Sequence, residues 1–155
     1  MRTWGRVGET PVLRETFGWT HLSVIAGLTL KSFVFRIHKG SVKSPQVCAF
    51  LGALRRHAGG KILVVWDGAA IHRSARVREY VAKTKGAIWL ERLPAYAPEI
   101  NPVEYLWAHL KEHEICNLLA RDGWELSLHA TRALRRMRRR KNIIRACWVQ
   151  AELPL

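Results

Sequence analysis

Acidic residues are scarce in this chain, 12 against 26 lysines and arginines, so the formal net charge reaches +14. With so little negative charge to offset it, the balance favours a polyanionic partner, nucleic acid ahead of an anionic membrane surface. Cysteine is also sparse. Cys48, Cys116 and Cys147 are far apart and form no Cys-x-x-Cys pair, which argues against a disulfide framework and a structural zinc site and leaves buried free thiols as the expectation. No long apolar run is present. The longest, around Leu22 to Leu30, is about half of the roughly 20 residues that a membrane-spanning helix needs, so no membrane role is expected. The basic start at Met1 and Arg2 has no apolar stretch behind it, which argues against secretion and for a cytoplasmic protein. Internal repeats are lacking, as is any linker long enough to divide the 155 residues, and a hydrophobic content of 48% suits one compact domain.

What is there alternates between strand and helix. Residues 21–30 and 32–37 are apolar and partly β-branched, and with Lys31 between them they predict paired antiparallel strands. Ser44 and Pro45 predict a helix start, with Ser44 as cap and Pro45 in the first turn. Val47, Phe50, Leu51 and Leu54 mark its apolar face, and Gly59-Gly60 its end. Residues 61–66 form a continuous apolar run of the kind buried on both faces of a sheet. Ser74 can cap a helix bearing Val77, Tyr80 and Val81, and residues 87–93 read as a further strand. A proline-punctuated loop, 94–102, opens a helix expected over 103–119, broken at Asp122-Gly123. From Trp124 onward the chain reads as helical.

Two carboxylates stand out by position. Asp67 ends an apolar strand, where open α/β sheets usually hold their ligands. Glu104 falls in the first turn of a helix whose start is set by Asn101-Pro102, with Tyr105 and Trp107 available to anchor it. On position alone, each is equally consistent with capping or with complementing a helix dipole.

The residues around them are more specific. Val64-Val65-Trp66-Asp67-Gly68-Ala69-Ala70-Ile71-His72-Arg73-Ser74, followed by Leu93-Pro94-Ala95-Tyr96-Ala97-Pro98-Glu99-Ile100-Asn101-Pro102-Val103-Glu104-Tyr105-Leu106-Trp107, closely resembles the catalytic core of mariner-like bacterial insertion-sequence transposases. These belong to the DDE transposase and retroviral integrase superfamily. The first segment in that group usually reads strand-Asp-Asn-x-x-x-His, and the second Leu-Pro-Pro-Tyr-Ser-Pro-x-Leu-Asn-Pro-Ile-Glu-x-x-Trp. Both occur here in order, with 36 residues between Asp67 and Glu104. Gly68, Ala95, Ala97 and Ile100 depart from the usual Asn, Pro, Ser and Leu. None of these changes removes a carboxylate. The similarity extends back through Thr10-Pro11-Val12-Leu13-Arg14 and forward to about Leu119.

The resemblance implies an α/β, ribonuclease H-like mixed sheet flanked by helices. It implies Asp67 and Glu104 as catalytic metal ligands, Mg2+ or Mn2+ as the cofactor, and His72 and Asn101 as supporting residues of the site. Double-stranded DNA, at transposon ends and target, is the implied partner, and the intact enzyme is expected to be a homo-oligomer. The family's first Asp belongs to a strand upstream of the segment beginning at Trp4. Glu9 and Glu15, the only acids before Asp67, end no apolar run. The expectation is therefore a fragment lacking the first, central strand and inactive alone. Residues 1–120 are read as the partial catalytic domain, and residues 121–155 as a basic helical segment of the same domain.

Three further features bear on function. Arg132, Arg135, Arg136, Arg138, Arg139, Arg140, Lys141 and Arg145 lie in a stretch with no acidic residue, and the first seven are assigned to DNA phosphates. The seven tryptophans read as core anchors rather than base-stacking platforms. His109-Leu110-Lys111-Glu112-His113 fits the pattern of one zinc peptidase class, the sharpest rival enzyme reading. A rival of another class is a basic DNA-binding remnant without metal chemistry.

Overall fold

The computed structural model describes Gly8 and residues 21–95, 97–116 and 118–153. Trp4, Glu9, Glu15 and the segment from Thr10 to Arg14 lie outside the described residues. Strand β1 (Leu22–Leu28) pairs antiparallel with β2 (Phe33–Lys39) from Leu22 opposite Lys39 to Leu28 opposite Phe33. The hairpin is closed by Thr29, whose N–H and hydroxyl both donate to the Ser32 carbonyl at 2.8 Å, while the Ser32 N–H donates to the Thr29 hydroxyl at 3.0 Å. Helix α1 (Ser44–Ala58) starts one residue earlier than the Ser-Pro signal implies. Lys43 is the cap residue, and its N–H donates to the Gln46 side chain. Gly59 ends the helix as expected, at φ 76°, a left-handed conformation that favours glycine.

Strands β3 (Ile62–Trp66) and β4 (Ile88–Arg92) run parallel, joined through the short turn Ala70–Arg73 and helix α2 (Ala75–Lys83). Helix α3 (Pro102–His109) passes directly into a π turn, Leu110–Glu114. The basic end of the chain is a pair of helices, α4 (Gly123–Arg139) and α5 (Lys141–Gln150).

Apolar side chains gather in two clusters. In the larger, Phe33 from the hairpin meets Leu106 and Leu110 from the α3 region, Leu134 and Met137 from α4, and Ile144 and Cys147 from α5. The smaller joins Val47 and Leu51 of α1 to Val77 of α2 and Ile88 of β4, with Ile25 of β1 packed against it. The hairpin thus touches both clusters. Its Gly27 approaches α1 so closely that a Cβ would sit 3.1 Å from Leu54. Cys48 and Cys147 are buried free thiols, as the spacing implies, whereas Cys116 is half-exposed. Burial raises the Cys147 thiol to about 11. No described helix is long and apolar enough to cross a membrane.

Three expectations are corrected. Among the described residues strand β3 is covered on one face only: Ile62, Val64 and Trp66 pack on the α1–α2 side, while Leu63 and Val65 remain 62% and 53% exposed. Leu63 and Val65 lie opposite that packed side, and no described helix covers their face. The tryptophans do not act together as core anchors. Trp89 and Trp124 are exposed, and Trp66, Trp107 and Trp148 are half-buried, Trp148 donating its indole N–H to the Thr29 carbonyl at 3.2 Å. Trp4 and Trp19 lie outside the described residues.

The helix expected over 103–119 ends its α-helical part at His109. The wider turn that follows closes with the Ile115 N–H on the Leu110 carbonyl at 3.1 Å. It keeps Leu110 in the core and turns Glu114, 8% exposed, toward α4, where its carboxylate accepts from Arg136 at 2.6 Å and lies 3.6 Å from Arg140. The partner across the turn therefore decides the register, which helical periodicity within the segment does not encode.

His109, at the entry to this turn, has its Nε2 buried without a hydrogen-bond partner. Burial lowers its pKa from the usual 6.5, and the neighbouring His113 lowers it further. A His held neutral by folding contributes stability fully above the unfolded value, and that stability is lost as pH falls from 6.5 toward the lower folded value. Thermal unfolding of the wild type is therefore expected to lose more midpoint temperature between about pH 7.5 and about pH 5.5 than that of His109→Gln. Equal losses would remove His109 as the cause.

Candidate active site

The site is assembled by the parallel register of β3 and β4. Trp66 lies opposite Arg92, and the Leu93 N–H donates to the Trp66 carbonyl at 2.8 Å, so both strands deliver their next residues to the same carboxyl edge. Asp67 leaves β3 there, and the proline-punctuated loop leaves β4 beside it. That loop returns through a short helical turn, Pro98–Ile100, into α3. Its return is well fixed. The Asn101 side chain accepts from the Val103 N–H at 3.2 Å, the Asn101 carbonyl accepts from the Glu104 N–H at 3.0 Å, and the Tyr105 hydroxyl donates to the Glu99 carbonyl at 3.1 Å. Leu106 anchors the helix in the larger core. Glu104 therefore projects from an immobilised first turn, and it lines, with Asp67, Asn101 and Arg92, one open cleft of about 440 Å3.

Asp67 is itself held. Its Oδ1 accepts from the Ala69 N–H at 3.0 Å and lies 2.9 Å from His72 Nδ1. The His72 ring stacks flat on Trp66, with centroids 4.3 Å apart and planes 1° from parallel, and its Nδ1 is 3.5 Å from the Asp67 carbonyl. His72 is thus clamped between a strand residue and the carboxylate it orients. With Oδ1 committed twice, Oδ2 has no hydrogen-bond or ion-pair partner among the described residues, and Asp67 lines the cleft. Asn101 supports the site differently from a ligand: its side-chain oxygen is spent on capping α3.

A family model described as DDE superfamily endonuclease matches residues 1–127, spanning this cleft and both segments that build it. The chain belongs to that family. The DDE chain also shares its fold with solved structures. It matches the Mos1 Strand Transfer Complex at 12% identity and a TM-score of 0.57, covering 100% of this chain and 50% of that one. It matches the Mos1 transposase catalytic domain, solved with Raltegravir and Mg, at 15% identity and a TM-score of 0.53, covering 85% of this chain and 76% of that one. The DDE chain therefore spans half the length of the protein in the strand transfer complex. Its mixed α/β arrangement is similar to the ribonuclease H-like catalytic domain of that transposase. Comparison with curated protein sequences gave no match.

The donor atoms that the DDE chain offers suit a hard divalent cation. They are carboxylate oxygens, and Mg2+ is commonly bound through one or two carboxylates with the remaining positions filled by water and substrate phosphate. Among the described residues no group of three or more His, Cys, Asp or Glu side chains converges. The zinc peptidase pattern thus gains no third ligand. The His109 and His113 rings tilt against each other at 4.8 Å as the helix widens.

Two findings bear on the candidate residues. Arg132, Arg135, Arg136, Arg138, Arg139, Arg140 and Lys141 are all exposed, and two of them, Arg136 and Arg140, also pair with Glu114. The run lacks acids in sequence, yet one reaches it in space. The second finding is Arg92, which sequence reasoning passed over as an ordinary strand-end residue. Only the register with Trp66 reveals that it enters the cleft.

Proposed function

We propose that the chain supplies two of the metal-holding carboxylates of a DNA transposase, Asp67 and Glu104. The reaction is cleavage of DNA at the ends of a mobile element and joining of the freed 3′ hydroxyl to target DNA. One observation carries this reading: the strand-end Asp67 and the helix-borne Glu104 meet in one cleft of a DDE-family chain. Asp67 and Glu104 would hold Mg2+ or Mn2+, which would supply Lewis-acid stabilisation of the phosphate and activation of the attacking hydroxyl. His72 and Ala69 orient Asp67, and the Asn101 cap orients Glu104. The exposed arginines and lysine of α4 and α5 are read as duplex contacts, and the solved Mos1 strand transfer complex supports DNA as the partner. A homo-oligomer, an insertion-sequence source and a cytoplasmic location belong to the same proposal.

The first carboxylate of this chemistry is assigned to a strand outside the described residues. Among those residues β1 pairs only with β2, and β3 only with β4. A strand between β1 and β3 would satisfy both open edges and unite the four strands into one sheet. The described residues alone then hold an incomplete site, without cleavage. This incompleteness is also what favours the second reading, a basic duplex-binding protein without metal chemistry.

The test joins the chain to an N-terminal segment whose strand ends in Asp and measures Mn2+-dependent nicking of supercoiled plasmid. Nicking that is lost on Asp67→Ala and on Glu104→Ala supports the transposase reading. Duplex binding without nicking supports the second.

A further inference from the structure

Arg92 continues the row of Ile88 and Leu90 along β4, but beyond the point where α1 and α2 cover that face. Its guanidinium crosses to the neighbouring strand and lies over Gly68. A Cβ built on Gly68 would meet the terminal Nη2 at 3.0 Å and the guanidinium carbon at 3.9 Å. The space that a side chain at position 68 would fill is therefore taken by the Arg92 head group, next to Asp67 and on the wall of the cleft that Glu104 also lines.

This guanidinium is not spent on holding the protein together. Among the described residues no carboxylate lies within ion-pairing distance of it and it donates no side-chain hydrogen bond, although two carboxylates share its cleft. A fixed cation beside two carboxylates that are to hold a divalent cation weakens that binding unless a further anion enters. Arginine's planar fork matches the paired oxygens of a phosphodiester.

We propose that Arg92 is a phosphate-binding residue of the active site, reaching over Gly68 to grip the backbone of the DNA strand that enters the cleft. Gly68 is the permissive half of the pair, since a Cβ there would press on the guanidinium at 3.0 Å and force it to shift. The proposal rests on the transposase reading for the identity of the strand, but its geometry stands on Gly68 and Arg92 alone.

The experiment uses the full chain, a fluorescent duplex of arbitrary sequence, and anisotropy titrations from about 50 to about 200 mM KCl. Each phosphate neutralised contributes about 0.9 to the slope of log affinity against log salt, so Arg92→Gln is expected to lower that slope by about one unit. Arg92→Lys restores the slope, because one cation returns, but not the full affinity, because the fork does not. Without DNA, Arg92→Gln is expected to bind Mn2+ about two- to fivefold more tightly, a gain that a merely structural role of Arg92 does not produce.

An unchanged salt slope in Arg92→Gln, with an unchanged circular dichroism spectrum and unfolding midpoint, overturns the proposal, as does a wild type that binds no duplex. The transposase reading fails separately, when Asp67→Ala and Glu104→Ala leave strand-complemented nicking intact.

Discussion

Replacing Asp67 or Glu104 by alanine in the strand-complemented enzyme is expected to lower metal-dependent nicking by at least about 100- to 1,000-fold, the loss that follows removal of a single group stabilising transition-state charge. Duplex affinity should hardly change. Neither residue is part of the basic surface, and removing a negative charge near phosphates strengthens binding slightly if it acts at all. The two substitutions are not equivalent in their side effects. Asp67 also accepts the Ala69 N–H and faces His72, so its loss frees the turn after β3, whereas the Glu104 side chain makes no such contact among the described residues, and its loss is expected to be chemical. The conservative variants Asp67→Asn and Glu104→Gln keep shape and remove charge. Nicking that survives both at near wild-type rates would sink the assignment of these two residues as metal ligands.

Leu134→Ala is expected to destabilise the chain by about 2 to 5 kcal/mol, the range for truncating a fully buried leucine. Leu134 is fully buried on α4, among Phe33 of the hairpin, Leu106 of α3 and Ile144 of α5. The cavity would open between elements from both ends of the chain, where rigid strands and capped helices have little room to collapse. For a domain whose total stability is of order 5 to 15 kcal/mol, that loss is a large fraction. Leu119→Ala serves as the control. Leu119 is 47% exposed, and its loss should cost less than about 0.5 kcal/mol. Urea titration followed by circular dichroism separates the two, and equal midpoints would mean that α4 is not seated in this core. Since Leu106 lies on the same helix as Glu104, the cavity also threatens the aim of that carboxylate.

Much of the path to the site was legible from residue patterns alone. The hairpin followed from β-branched runs around Lys31, the end of α1 from Gly59, and the start of α3 from Asn101-Pro102, because each is a local choice made by the backbone at those residues. The two carboxylates could be brought to one cleft because a parallel pair places the ends of β3 and β4 side by side. What was not legible depended on partners far away in sequence. The π turn is stabilised by Glu114 meeting Arg136 and Arg140. The same contact gives two exposed arginines of the basic run an acidic neighbour, although the run itself contains no acid. The exposure of Leu63 and Val65 contradicts their apolar run, because burial on both faces requires a covering layer that a strand's own composition does not supply. Arg92 was invisible because only the register opposite Trp66 carries it to Gly68.

The turn that follows α3 gives the chain one residue to spare. Closing over five residues rather than four, it accommodates a position that an α-helix of the same rise would not need. Deleting a residue between Leu110 and Glu114 would let the hydrogen bonds revert to the tighter pattern while leaving the stretch from Asp67 to Glu104 untouched. The distance in sequence from Glu104 to the arginine-bearing helices is therefore negotiable by one, at the expense of the Glu114 clamp. A one-residue change of length is therefore absorbed at this turn, after Glu104, without moving either strand end or the capped start of α3 that build the cleft.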